Sequence, residues 1–140
     1  MKLNDQNLLA PCGLYCGECE GFQDERCGGC LSRKGLCLKY TKTCRIYTCC
    51  VDKRKLRFCS ECEDFPCNKL AKFFDTPLWY QEVVNNLRRI SKAGSETFLK
   101  EEVKRVKKLI NCAKEQGVKH CIYCKRWPCK DLRRQPLVPD

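Results

Sequence analysis

Two sets of four cysteines stand at identical spacing in this chain. Cys50, Cys59, Cys62 and Cys67 are separated by eight, two and four residues, and Cys112, Cys121, Cys124 and Cys129 repeat those gaps at a constant offset of 62. The match extends beyond sulfur: CSECEDFPCNKL (59–70) lies over CIYCKRWPCKDL (121–132), each with an aromatic and Pro before the last cysteine and Leu three residues after it. Four thiolates are what a tetrahedral structural zinc site takes. Two residues between cysteines let both sulfurs face one ion while turn amides donate to them. Phe65 and Trp127 are placed to cover the sites. Pro66 and Pro128 fix the backbone ahead of short helices, expected from Asn68 to Phe74 in the first copy and from Lys130 onward in the second. The last sulfur of each copy then lies at a helix N-terminus, where a positive dipole end favours thiolate.

Eight cysteines remain, enough for two further sets. Cys16, Cys19, Cys27 and Cys30 form two CxxC steps with seven residues between them, a zinc-knuckle arrangement in which Gly17, Gly28 and Gly29 permit tight turns. Cys12, Cys37, Cys44 and Cys49 make the fourth set. This division is open, because CRIYTC (44–49) also resembles the CxxxxC ends of the repeats and either Cys49 or Cys50 can complete the first copy. The expected cofactor is three to four zinc ions; an iron–sulfur cluster uses the same ligands and is the alternative. A thiol redox enzyme needs one exposed CxxC on a βαβ scaffold, and no strand pattern flanks these. Closed four-sulfur sites leave no open position for substrate, so no catalytic residue is expected. The single histidine, His120, reads as a surface residue or a substitute ligand, and Glu61, Glu63 and Asp64 read as solvent-facing rather than as a catalytic pair.

Sixteen cysteines in 140 residues call for either disulfides or metal. Residues 1–10 lack the basic start, apolar run and cleavage pattern of an export signal, and no apolar stretch is long enough to span a membrane, so a reducing cytoplasm and metal ligation are expected. The formal charge of +11 suggests a nucleic-acid partner. Sixteen thiolates on four divalent ions would subtract eight charges, so much of that excess serves as internal counter-charge. What remains as a nucleic-acid surface is Lys53, Arg54, Lys55 and Arg57 in the first repeat, and Lys125, Arg126 and Trp127 in the second. A protein partner is equally compatible. No membrane association is expected.

These sites must be held by the elements around them. The 44 residues from Cys67 to Cys112 contain no cysteine and read as a helical hairpin. Thr76 is placed to cap a helix starting at Pro77, with Tyr80, Val83, Val84, Leu87 and Ile90 on one face and Gly94 ending it. Ser95 is placed to cap a second helix striped by Leu99, Val103, Val106 and Ile110, with Glu96–Lys100 and Glu101–Arg105 as surface pairs and Gly117 as the stop, which places Cys112 on the last turns. The expected fold is small, metal-stapled and mainly α, with irregular cysteine-rich loops around a central helical hairpin. Its expected parts are a metal-binding lobe (1–75), the hairpin (76–111), a CxxCxxxPC module (112–134) and a tail (135–140). The metals supply folding free energy that a small core lacks, leaving a macromolecular recognition module as the expected function and an electron carrier or redox sensor as the alternative.

The ordered series APCGLYCGEC (10–19), CGGC (27–30) and CSECEDFPC (59–67) resembles a prokaryotic cysteine-rich family of unknown function, in which CGLxCxxC is followed by CxGC and CxxCxxxPC. The resemblance covers the first half, to about Phe74. It implies metal binding by Cys12, Cys16, Cys19, Cys27, Cys30, Cys59, Cys62 and Cys67, and no activity. The second CxxCxxxPC lies beyond it and looks like a duplicated closing module.

Overall fold

Pro77 opens and Gly94 closes the first long helix, as the sequence pattern requires. The computed structural model describes residues 2–37, 42–120 and 123–125, in which all regular structure is helical and the only β pairing is an isolated bridge between Leu9 and Tyr15. The short helices α1 (Glu20–Gln23), α2 (Arg45–Tyr47) and α3 (Asn68–Phe73) belong to the cysteine lobe; α4 (Pro77–Ala93) and α5 (Ser95–Glu115) form the hairpin. The expectations for Cys121, Cys129, Arg126, Trp127, the second short helix and the tail fall outside the described residues.

The hairpin turn is tighter than expected. Gly94 alone separates the helices: its N–H donates to Ile90 O at 2.9 Å, and at φ 89° it also occupies the cap position of α5, so Ser95 is already the first helical residue. Thr76 stands at the N-cap of α4 without a side-chain capping bond. The buried face of α4 holds Val83, Val84, Leu87 and Ile90, as anticipated. That of α5 is rotated from the expected stripe. Phe98, Leu99, Val106, Leu109 and Ala113 are buried while Val103 and Ile110 lie at its edges, because Phe98 and Leu109 extend the apolar arc toward α4 and the lobe.

One core joins lobe and hairpin. Leu8, Leu9, Tyr15, Phe58, Leu70 and Phe74 pack in the same cluster as Val83, Leu87, Phe98 and Val106. The seam passes through Gly13 of the CGLYC element. Its φ is +88°, and a Cβ there would lie 3.0 Å from Leu87 Cγ. Asn86, fully buried on α4, donates to Gly13 O at 3.1 Å. The glycine is therefore needed both for the turn and for the approach of α4.

The lobe is built from turns. Cys16–Glu18 and Cys59–Glu61 are matching 3-10 turns, in which the second cysteine's N–H donates to the first one's carbonyl, Cys19 to Cys16 at 3.0 Å and Cys62 to Cys59 at 3.1 Å. Cys59 N–H also donates to Pro11 O at 2.9 Å, bringing the closing motif against the opening one across 48 residues of sequence. α2 runs directly into a π-helical stretch, Thr48–Lys53, that carries Cys49 and Cys50. The Phe65–Pro66 peptide is cis, and Cys67 occupies the N-cap of α3, which ends one residue before the expected Phe74.

Candidate metal centre

All fourteen described cysteines are free thiols. Cys12, Cys16 and Cys30 are the inner members of one neighbourhood. Burial raises the Cys12 thiol far above its usual range, and the charges of Cys30, Cys44 and Cys16 raise it further against a lowering hydrogen bond from the Leu14 amide. Burial pushes Cys30 up to about 12, with Cys16, Cys44, Cys37 and Cys27 adding to the rise. Cys16 reaches about 11, chiefly by burial, with Cys19, Cys27 and Cys37 contributing; the Cys30 N–H, 3.4 Å from its sulfur, acts in the opposite direction. Gly29 N–H similarly points at Cys27 Sγ at 3.4 Å.

A second neighbourhood centres on Cys59. Its thiol donates to Cys50, which lowers Cys50 and raises Cys59; burial and the charges of Cys50, Cys12 and Cys67 raise Cys59 further. Cys12 thus borders both neighbourhoods. Cys50 is buried and its own sulfur also lies 3.6 Å from Leu56 O.

The adjacent Cys49 faces the other way. Lys69 Nζ lies 3.5 Å from Cys49 Sγ, and Arg54 donates to Cys62 Sγ at 3.0 Å while pairing with Asp64 at 2.8 Å. The π-helical turn separates the environments of two neighbouring sulfurs. Cys62, which the repeat groups with Cys50, Cys59 and Cys67, is part-buried and carries this Arg54 contact. Of the second copy, Cys112 lies near the end of α5 and Cys124 is part-buried.

Among the described residues, no three Cys, His, Asp or Glu side chains converge as a ready-made metal-binding group. The donor chemistry nevertheless fits a thiophilic divalent ion. Buried thiols that raise one another's pKa carry a like-charge cost on ionisation, and a bound cation reverses it. Cys12, Cys16, Cys30 and Cys59 are raised in this way, and Cys50 stands beside them as the acceptor of the Cys59 thiol.

Arginine takes part inside the lobe. Arg57, expected on a nucleic-acid surface, is half-buried: its guanidinium donates to Gln6 O at 2.8 Å, stacks 4.2 Å from the Phe58 ring centroid and lies within the field of Cys50, Cys30 and Cys16. Lys53, Lys55 and Lys125 are exposed. Arg54 and Arg57 are therefore committed to internal partners, a consequence of the thiol-rich interior they border.

Sequence reasoning missed a clamp on the first CxxC turn. Arg105 of α5 forks onto Glu18 with contacts of 3.0 and 2.6 Å and reaches Glu102 at 2.8 Å. Burial lowers its pKa, but the bonds and charges of the two carboxylates outweigh that and raise it. The expected Glu101–Arg105 pair is absent; Glu101 pairs with Arg89 at 2.7 Å instead. Glu18 is 87 residues from Arg105, so no local spacing announces the clamp.

His120 likewise departs from the surface reading. Its side chain is 10% exposed, with Nε2 at 2.8 Å from Asp24 Oδ1 and Nδ1 at 3.1 Å from Gln23 Oε1. Both ring nitrogens are engaged, leaving neither for a metal. Lys119 adds a 3.4 Å contact to Asp24, and Tyr123 donates to Glu20 at 2.8 Å, so Lys119, His120 and Tyr123 contact α1 and its C-cap residue. Despite its own desolvation, Asp24 is held below the usual carboxylate range by His120 and Lys119.

Residues 8–72 match the model of a family described as a protein of unknown function, DUF3795. The matched stretch begins at Leu8, just ahead of the CGLYC element, and ends within α3. No curated protein matches the chain. No solved structure matches it either. No helix of the described residues is long and apolar enough to cross a membrane.

Proposed function

We propose that this chain is a thiolate metal-binding protein whose cysteine lobe is stapled by zinc, the hairpin serving as the frame that holds the lobe and presents a surface to a macromolecular partner. The observation that carries the reading is the concentration of free thiols around buried Cys12, with part-buried Cys30 and Cys59 among them, each raised by desolvation and by neighbouring sulfurs, in a lobe where no α-helix of the described residues exceeds six residues. Zinc accepts four sulfurs without redox change and supplies folding free energy where regular structure is scarce. Cys12, Cys16, Cys30, Cys50 and Cys59 would hold metal on the inner side, with the remaining cysteines of the lobe completing the sets. Arg57, inside the lobe, and Arg54 and Lys69, on its outer side, offset thiolate charge.

Elemental analysis of protein purified without oxygen tests this. The expected result is at least three zinc ions per chain in a colourless solution. Iron with acid-labile sulfide and visible absorption would replace zinc by a cluster. A chain that carries no metal and keeps its far-UV circular dichroism and amide protection under chelation would overturn the proposal. With metal bound, its removal should abolish amide protection across the lobe, since apparent structural zinc contributions are on the order of 10 kcal/mol.

A further inference from the structure

The outer face of α5 carries a continuous basic ridge. Lys100, Lys104, Lys107 and Lys114 follow one another at four-, three- and seven-residue steps, with Asn111 between the last two and Lys108 alongside. All are exposed, and the spacing places them on one side of the helix, opposite buried Phe98, Glu102, Val106, Leu109 and Ala113. At 1.5 Å per residue the ridge is about 21 Å long. Among the described residues none of its five lysines forms an ion pair. The acidic residues of α5 are at the margins or occupied: Glu101 pairs with Arg89, Glu102 with Arg105, and Glu96 and Glu115 stand at the two ends.

We propose that this ridge binds the phosphate backbone of duplex nucleic acid without reading its sequence. The cations Arg54 and Arg57, in the basic run 53–57, are spent on Cys62, Asp64 and Gln6, whereas the ridge lysines of α5 are free to neutralise an external anion. Length and linearity fit a phosphate rail, and an α-helix of about 10–12 Å diameter matches the width of a B-form major groove. The ridge has no aromatic on which unpaired bases could stack, which disfavours single strands. It has no apolar anchor of the kind a protein interface needs. Nor has α5 a free apolar face to enter a lipid surface, because that face is packed in the core. The inference goes beyond metal binding and stands on different residues.

The test is fluorescence anisotropy of a labelled mixed-sequence DNA duplex about two helical turns long, titrated with the full chain as purified, across about 50 to 200 mM salt. Three to five phosphate contacts predict a slope of log K against log salt of about −3 to −4.5. The double variant Lys104→Gln/Lys107→Gln should lower affinity at least about tenfold at the lowest salt and reduce the slope by about 2, with unchanged circular dichroism and metal content. Lys53→Gln/Lys55→Gln should bind as the parent does. Binding that survives the α5 substitutions, is lost with the 53/55 variant, is independent of salt, or is equalled by single strands or phosphatidylserine vesicles would overturn the inference. A metal-free chain that still binds duplex through the ridge would contradict the metal reading alone.

Discussion

In α4 and α5, residues three and four apart share a face and the helix's own hydrogen bonds satisfy the backbone. In the cysteine lobe no α-helix of the described residues exceeds six residues, and the backbone is held by turn bonds, by Gly13 at positive φ and by N–H groups aimed at sulfur. Two ways of building therefore meet in one cluster, with Leu87 and Phe98 on the hairpin side and Leu9 and Phe58 on the other. The difference teaches what each half can do alone. A hairpin with one buried stripe is stabilised by apolar area, but a lobe of turns must be cross-linked from within. Between them lies a seam, and the seam can be attacked.

The largest effect is expected from Leu87→Ala. Leu87 is fully buried at the contact with Gly13, and truncating such a leucine costs about 2–5 kcal/mol. For a chain of this size that is a fall in Tm of roughly 10 °C. If the core is truly shared, the loss will appear as a single transition moved down for amides of both regions, measured by hydrogen exchange with metal in place. Two separated transitions, with only α4 and α5 weakened, would mean that the lobe is stapled independently of the hairpin.

Arg105→Met comes next. Removing one member of a buried charge cluster costs about 3–5 kcal/mol, and the partial exposure of Glu18 places this case at about 3. The expected signature is local as well as global: faster amide exchange at Cys16–Cys19, because the fork onto Glu18 holds that turn to α5. Adding Glu102→Leu should restore part of the stability without restoring the turn, since it removes a buried carboxylate that has lost its Arg105 bond and does not replace the fork onto Glu18. Full recovery of both would show that the clamp does not position the CxxC element.

What could be read in advance follows from the range of the interactions. The boundaries of α4 are written in Pro77 and Gly94, and its buried face in the spacing of Val83, Val84, Leu87 and Ile90, because these are local effects within one helix. The face of α5 was less legible: Glu102 lies in its buried arc, where it is bonded by Arg105, which also holds the distant Glu18. Among the cysteines the repeat suggested equivalent fours. Within those fours the surroundings differ: Cys62 and Cys49 carry the cationic contacts of Arg54 and Lys69, whereas Cys59 and Cys50 bond each other. A 62-residue offset records how the sequence is written. It does not record which surface each copy meets, and the His120 contact with Asp24 gives the second copy a neighbour the first lacks.

The smallest effect tests the surface of the hairpin against its interior. Arg89 pairs with Glu101 across the two helices, both side chains more than two-fifths exposed, and stands 5.9 Å from the Phe98 ring centroid. Such a solvent-exposed pair contributes about 0–1 kcal/mol, and added salt screens it. Arg89→Gln should therefore lower Tm by no more than about 3 °C in dilute buffer and by less at about 0.5 M salt. Arg105→Met should keep most of its deficit at both ionic strengths, because Arg105 and its partner Glu102 are shielded from ions. If Arg89→Gln proved as costly as Arg105→Met, the cation would be holding α4 to α5 as firmly as the apolar stripe does, and the contrast between a hairpin held by area and a lobe held by polar and sulfur contacts would no longer stand.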